Sequence, residues 1–99
     1  MDKEIKKKLA SNWFRLLQNI ICNDIEKLES EKIKFKSKTW IRNEIKDEGG
    51  GEFRILRNGK IFEKVGVNFS EVYGKFSGEM RKKIPGASKD PNFWASGIS

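Results

Sequence analysis

The residues that first suggest chemistry are the three glycines at 49–51 and the pair Gly59-Lys60, because glycine-rich loops bind phosphate in many proteins. A phosphate-binding P-loop needs four residues between its glycines and a Ser or Thr after the Gly-Lys pair. Here seven residues separate Gly51 from Gly59, and Ile61 follows Lys60. The dinucleotide fingerprint G-x-G-x-x-G does not fit this spacing either. The glycines therefore indicate backbone shape rather than a phosphate site.

Side chains that could act as nucleophiles, acids or bases are few. Histidine is absent and Cys22 is the single cysteine, which excludes a His-based triad or general base and a zinc site built from Cys and His. No serine lies in the nucleophile-elbow pattern G-x-S-x-G. Nothing in the sequence places the carboxyl groups of Glu63 and Glu71 together. The sequence predicts no catalytic residue and no metal ligand in this chain.

Length and composition predict one small basic domain spanning residues 1–99. The chain carries 21 Lys and Arg against 14 Asp and Glu, for a net charge of +7. Such a charge favours anionic partners, although a lysine-rich composition serves solubility equally well. One cysteine fits a reducing compartment, and neither a secretory signal nor an apolar run of membrane-spanning length is present. We expect a soluble, cytoplasmic protein with no membrane span.

An amphipathic helix is predicted from about Lys3 to Leu28, because apolar residues recur there at helical spacing. These residues are Ile5, Leu9, Trp13, Leu16, Leu17, Ile20, Ile21 and Leu28. Core packing is the usual fate of such a stripe, so we expect it to face the rest of the domain. Cys22 lies off this stripe and is expected to have no role.

A half-exposed strand is predicted next, because Ile33, Phe35, Ser37 and Thr39 alternate with lysines. Lysines along an edge strand block edge-to-edge aggregation, and this interpretation is favoured. The alternative is a small basic nucleic-acid-binding module, in which bases stack on aromatic rings beside cations. Its residues would be Lys34, Phe35, Lys36, Lys38 and Trp40.

A β-hairpin is predicted around Asn58-Gly59, the strongest two-residue signal for a type I′ turn. A two-residue turn would place Leu56 opposite Ile61 and Ile55 opposite Phe62. The residues before it, including the three glycines, have the composition of a connector. Because Ile55 and Leu56 would point to opposite faces, both faces of the sheet require cover, and one helix supplies only one layer.

The remaining segments predict a strand through Val65, Val67 and Phe69, a short helical turn around Glu79 to Lys83, and a final strand-like run at 93–99. A sheet that needs a second covering layer, and a strand that runs to the last residue, lead us to expect either a fragment of a larger domain or an unusually incomplete small protein. The predicted fold class is α+β: an amino-terminal amphipathic helix followed by antiparallel strands.

The run from Gly49 to Gly74 resembles a known family. Its pattern, GGG-x-x-R-I-L-x-x-G-x-I-F-E-K-V-G-V-N-F-S-x-V-x-G, is similar to the oxygen-dependent coproporphyrinogen III oxidases of haem biosynthesis. The segments LQNIIC, TWIR and FWASGIS extend the resemblance over nearly the whole chain. Glu48 stands where the family has the first of four glycines, and Val65 stands where alanine is common. Family members are about three times as long.

The resemblance implies a fold and an activity. The family has a large, flat antiparallel sheet covered by helices on both faces and acts as a homodimer. It converts two propionate side chains of coproporphyrinogen III to vinyl groups, giving protoporphyrinogen IX, with molecular oxygen as co-substrate and no organic cofactor. The resemblance does not settle whether a metal is required. The family's proposed acid/base motif lies beyond the matched region, so we expect the 99-residue chain alone to be inactive.

The resemblance assigns one substrate-binding residue here, Ser99, the serine of the family's G-[VI]-S triplet. Its hydroxyl would hydrogen-bond a propionate or the macrocycle, although a terminal carboxylate on the same residue would repel a substrate carboxylate. The family segment implicated in dimerisation corresponds to the predicted hairpin, which an ordinary internal role would also explain. Its contact residues would be Ile55, Leu56, Gly59, Ile61, Phe62, Glu63 and Lys64.

Overall fold

A computed structural model describes residues 2–99 and has one long helix, a four-stranded sheet and one short helix. The elements are α1 (Lys3–Leu28), β1 (Lys36–Ile41), β2 (Gly49–Arg57), β3 (Lys64–Lys75), α2 (Gly78–Lys83) and β4 (Asn92–Ile98). The predicted α+β class, the final strand and the short helical turn are confirmed. Within residues 2–99, no helix is both long enough and apolar enough to cross a membrane.

The four strands form an antiparallel meander in the order β1-β2-β3-β4, so β1 is an edge strand, as its lysines predict. Helix α1 packs across β3 and β4 on one side of the sheet. Successive side chains of a strand point to opposite faces. The helix-covered face therefore carries the odd-numbered residues of β1 and β3 and the even-numbered residues of β2 and β4. The other residues of these strands, followed by Ser99, form what we call the open face.

The apolar stripe of α1 faces away from the sheet, so the prediction that it packs into the core is wrong. Leu9, Trp13 and Leu16 are each about half exposed. The fully buried side chains of α1 are those of Ser11, Gln18 and Cys22, two of them polar. Gln18 donates hydrogen bonds to the backbone carbonyls of Glu52 and Val67, at 2.9 and 3.0 Å. Burial of a polar group costs little when its hydrogen bonds are made. The strand backbone therefore binds the polar side of the helix.

The core beneath α1 is small. Leu56, Val67 and Phe69 are buried on the helix-covered face, with Cys22 of α1 packed beside them. Cys22 is only 2% exposed, so its placement off the apolar stripe does not make it a surface residue. At the start of α1, the Asp2 carboxylate accepts hydrogen bonds from the backbone N–H groups of Glu4 and Ile5, which caps the helix.

The predicted two-residue hairpin is also wrong in its register. Arg57 pairs with Lys64 and Leu56 with Val65, so a six-residue loop, residues 58–63, joins β2 to β3. Asn58 does adopt the positive φ, 60°, that an Asn-Gly turn favours. The loop is longer because the carboxylate of Glu29, at the end of α1, binds three of its backbone N–H groups.

The three glycines at 49–51 belong to β2, whereas the sequence suggested a connector. They are fully paired, with Gly50 opposite Ile41 on one side and Glu71 on the other. A Cβ at Gly51 would come within 2.9 Å of Cζ2 of Trp40, because the indole lies over this glycine. The glycine here permits close approach of an aromatic ring to the strand.

Candidate functional site

The open face carries a trough of about 730 Å³ that crosses all four strands. Trp40, Phe53 and Val72 supply its apolar walls, and Ser70 and Ser99 supply hydroxyl groups. No element among residues 2–99 covers this side of the sheet, since α1 packs only on the opposite face. The requirement for a second covering layer, predicted from Ile55 and Leu56, therefore stands: Leu56 is fully buried beneath α1, while Ile55 lies in the trough.

On the open face, small residues lie side by side in one row, and Ser70 of this row lines the trough. Gly51 pairs with Ser70, and Ser70 pairs with Gly97. A Cβ placed on Gly97 would meet nothing within 4 Å, so there is open space above this strand. At the β1 end of the row, the Trp40 indole rises over Gly51 and forms a wall. Because the Trp40 ring already covers Gly51, the open part of this row consists of Ser70 on β3 and Gly97 on β4.

Charge is distributed unequally between the two faces of the sheet. The acidic residues of the four strands, Glu52 and Glu71, both lie on the helix-covered face. The charged residues that the strands place on the open face are all basic: Lys36, Lys38, Arg57 and Lys64. A face with several cations and no acidic strand residue attracts anions. The unequal distribution of charged residues between the two faces is therefore a better argument for an anionic partner than the net charge of +7 is.

Ser99, the predicted substrate-binding residue, lies at the edge of the trough. Its backbone exchanges two hydrogen bonds with Asn68, at 2.7 and 2.9 Å, which continues the β3–β4 ladder by one residue. This pairing places its side chain on the open face. Ser70, Ser99, Asn68 and Trp40 contribute hydroxyl, amide and indole N–H groups to the lining of the trough. These groups remain available to a ligand.

The residues predicted for a dimer contact are divided among three environments. Ile55 and Lys64 lie on the open face, Leu56 is buried beneath α1, and Gly59 to Glu63 form the loop. In the loop, Ile61 is 60% exposed and Phe62 is half-buried. No finding tests their role in dimerisation, which stays a prediction.

The helix-covered face holds polar networks that are internally satisfied. Glu71 accepts hydrogen bonds from Ser11 and Trp94, at 2.8 and 3.1 Å. Arg54 donates to Glu52 at 2.6 Å, which lowers the pKa of that carboxyl, and burial raises the pKa of the nearby Cys22 thiol. Among residues 2–99, no three or more Cys, Asp or Glu side chains are grouped so as to hold a metal ion. These groups stabilise the fold and leave the open face as the candidate site.

A second, smaller groove of about 350 Å³ runs beside the edge strand. Lys34, Lys36 and Lys38 contribute cations to it, and Phe53 contributes a ring. Its composition suits an anionic ligand as well as it suits an exposed edge strand. The sequence analysis gave nucleic-acid binding as an alternative. This groove, at the β1 edge of the open face, is where such a surface would lie.

Sequence reasoning proposed Ser99 as a substrate-binding residue, which stays a prediction, but missed the trough beside it. Asn68, Phe53 and Ser70 were not predicted as site residues. The surroundings of a strand residue depend on its neighbours on adjacent strands, which the sequence alone does not give. Trp40 was considered only as a stacking ring for nucleic acid. The signal that could have found the trough is the row that places Phe53, Asn68 and Ser99 side by side, and it requires the correct register.

Comparison with known proteins gives a single family. The family model described as coproporphyrinogen III oxidase matches residues 9–99. A Rickettsia felis protein named oxygen-dependent coproporphyrinogen-III oxidase is 46% identical over 94% of the chain, and the match covers 35% of that protein. Proteins of the same name from Rickettsia akari and Rickettsia bellii are 45% and 42% identical, over 94% and 100% of the chain. The chain spans about a third of the length of these curated relatives.

Proposed function

The chain belongs to the coproporphyrinogen III oxidase family, and we propose that it forms the amino-terminal part of an enzyme that oxidatively decarboxylates coproporphyrinogen III to protoporphyrinogen IX. In each of two propionate side chains, the carboxylate leaves as CO₂ and the β-carbon loses a hydrogen with its electron pair, which molecular oxygen accepts. The observation that carries the proposal is the match of residues 9–99 to the family, with Ser99 at the edge of an open, basic trough.

Within this proposal, the contribution of the chain is substrate binding. Ser99 donates its hydroxyl to a substrate carboxylate, and the lysines of the open face attract the anionic side chains electrostatically. The groups that hold and move the reacting protons belong to the part of the relatives that this chain does not match. The enzyme of which it is a part acts as a cytoplasmic homodimer without an organic cofactor. The exposed Ile61 on loop 58–63 supports a contact between subunits through that segment.

A chimeric enzyme tests the proposal directly. The region of the Rickettsia felis relative that aligns with this chain is replaced by residues 1–99, and conversion of coproporphyrinogen III is followed in air by protoporphyrin fluorescence after oxidation. We expect the chimera to be active and the Ser99→Ala chimera to be clearly less active. Ser88→Ala is the matched control, because Ser88 is exposed in the loop before β4 and does not line the trough.

Different results of this experiment test the proposed activity and the role of Ser99. A folded, dimeric chimera that converts no substrate would overturn the proposed activity. An active chimera in which Ser99→Ala and Ser88→Ala behave alike would overturn the role of Ser99 alone. The 99-residue chain by itself is expected to be inactive, and conversion of coproporphyrinogen by the purified chain would contradict that expectation.

The second candidate is nucleic-acid binding by the groove beside β1, which the lysines at 34, 36 and 38 favour. It predicts that the chain binds single-stranded RNA with an affinity that falls steeply with salt. Titration of a labelled oligonucleotide at 50 and 200 mM salt distinguishes the two candidates. Flat curves at both salt concentrations would eliminate it.

A further inference from the structure

We propose that the outer side of α1 pairs with the same helix of a second copy of this chain, with the two helices antiparallel about a two-fold axis. This surface includes neither the trough nor loop 58–63, the segment proposed for the subunit contact of the whole enzyme. The inference therefore goes beyond the proposed function and does not depend on it.

The outer side of α1 is apolar and open to solvent. Five large apolar side chains lie there, each 42–55% exposed: Ile5, Leu9, Trp13, Leu16 and Ile20. The sheet lies against the opposite side of the helix, where Ser11, Gln18 and Cys22 are buried. A continuous exposed apolar patch of this kind marks an interaction surface.

The spacing of these side chains favours another helix as the occupant. Steps of four, three and four residues separate Leu9, Trp13, Leu16 and Ile20. This is the 3.5-residue period of the a and d positions of a coiled coil. A stripe restricted to a and d positions is the narrow contact surface of a pair of helices. We call these four residues the seam.

The seam is complementary to itself when one copy is reversed. In an antiparallel pair whose two-fold axis passes between Trp13 and Leu16, the Trp13 ring lies opposite Leu16 of the second copy. Leu9 then lies opposite Ile20 of the second copy, and the axis repeats both contacts. Each central layer combines one large ring with one smaller side chain. A parallel pair would instead place the two Trp13 rings against each other.

The charged residues beside the seam favour the same orientation. Lys6 and Asp24 are both exposed, lie near opposite ends of α1 and flank the same border of the seam. In the antiparallel pair, Lys6 lies beside Asp24 of the second copy, and the axis repeats this contact between opposite charges. A parallel pair would place like charges together at both positions, which is unfavourable.

A short seam is sufficient because α1 is already formed and held in place. Isolated peptides of this length would first have to fold into helices, at a cost in conformational entropy. Here Gln18 binds carbonyl groups of β2 and β3, and the Asp2 carboxylate caps the first turn. Because association orders little further backbone, we expect a weak but specific dimer, with a dissociation constant in the micromolar range.

Sedimentation equilibrium of the 99-residue chain over a range of concentrations tests the proposal. We expect a reversible equilibrium between monomer and dimer. Leu16→Lys removes an apolar contact from each copy and should raise the dissociation constant by about a hundredfold. Ile61→Lys is the matched control, because Ile61 is also exposed but lies on loop 58–63, and it should leave the dissociation constant unchanged. Circular dichroism checks that both variants are folded.

A charge exchange tests the antiparallel orientation. Lys6→Glu and Asp24→Lys should each weaken the dimer severalfold, because each places like charges side by side in the antiparallel pair. The double variant exchanges the two charges and should restore the affinity of the wild type. In a parallel dimer, like charges would remain together in the double variant, and no such recovery would occur.

A dimer that Leu16→Lys weakens, that Ile61→Lys leaves intact and that the charge exchange restores would support the inference. A folded chain that stays monomeric, or a dimer that Ile61→Lys disrupts and Leu16→Lys does not, would overturn it. A monomeric chain that sediments with vesicles of anionic phospholipid would also overturn it, by assigning the apolar side of α1 to a lipid surface. Failure of the double variant to recover would overturn the antiparallel arrangement. The proposed function is decided separately, by the activity of the folded chimera.

Discussion

The carboxylate of Glu29 accepts a hydrogen bond from the backbone N–H of Phe62 at 2.7 Å, across 33 positions of sequence. The same carboxylate also accepts from the N–H groups of Lys60 and Ile61, at 2.8 and 3.0 Å. Glu29 follows the last residue of α1 and is 8% exposed. One side chain therefore fixes the end of the helix to the loop between β2 and β3, in the segment predicted to contact a second subunit.

Replacing Glu29 by Gln should lower the urea midpoint of unfolding and loosen loop 58–63. The amide retains one oxygen but turns an NH₂ group toward backbone donors, which leaves N–H groups without an acceptor. Glu31→Gln is the control, because Glu31 is exposed two residues away. Hydrogen exchange should show faster exchange at Lys60 and Phe62 only in the Glu29 variant. Equal exchange in both variants would show that the carboxylate does not fix the loop.

Stability should fall in acid. Hydrogen bonds from the Phe62, Lys60 and Ile61 backbone lower the pKa of Glu29 below its ordinary value of 4.5, and Arg54 lowers that of Glu52. A carboxyl whose pKa is lower in the folded state stabilises the fold above the unfolded pKa. That contribution is lost as the pH falls below about 4.5 through the lowered folded pKa.

Melting temperatures measured from pH 7 to pH 3 check this prediction. The wild type should be steady down to about pH 5 and then decline. Glu29→Gln should show a shallower decline, because one of the three carboxyls with a lowered pKa, those of Glu29, Glu52 and Asp90, has been removed. A variant curve parallel to that of the wild type would exclude Glu29 as a source of the acid sensitivity.

Gln18 should be essential for the attachment of α1 to the sheet. It is 2% exposed and donates to carbonyls on two different strands, β2 and β3. In Gln18→Leu, the strand carbonyls lose their donors in a buried position, which costs about 1–3 kcal/mol. Asn19→Leu is the control, since the neighbouring Asn19 is exposed. Urea unfolding should separate the two variants, and equal free energies of unfolding would contradict the role of Gln18.

The sequence predicted the elements of this fold better than their arrangement. The α1 helix, the edge position of β1 and the strands through Phe69 and Trp94 follow from periodicity, which is a local property. The β2–β3 register did not follow, because a contact with distant Glu29 overrides the local preference of Asn58-Gly59 for a tight turn.

The candidate site shows the same limit. Ser99 could be predicted as a site residue from its motif, because the G-[VI]-S triplet is contiguous in sequence. The row could not be assigned, because Trp40, Gly51, Ser70 and Gly97 are distant in sequence and become neighbours only through three strand pairings. The restriction of acidic strand residues to one face is likewise invisible until the register decides which face each residue occupies.

The sequence prediction and the structure differ most in the orientation of α1. Leu16 is 49% exposed on the outer side of the helix, whereas Leu56 beneath the helix is fully buried. In the structure, Leu16→Lys removes apolar surface from solvent and should leave the free energy of unfolding nearly unchanged. Leu56→Ala creates a cavity in the small core and should cost about 3 kcal/mol.

Urea unfolding and binding of a hydrophobic dye measure the two effects together. Leu16→Lys should reduce dye binding, because the stripe that contains Leu9 and Trp13 forms a continuous exposed apolar patch. Leu56→Ala should increase dye binding as the fold loosens. If Leu16→Lys instead unfolds the chain, the apolar stripe faces the core as its periodicity suggested, and the polar contacts of Gln18 do not determine the packing of the helix.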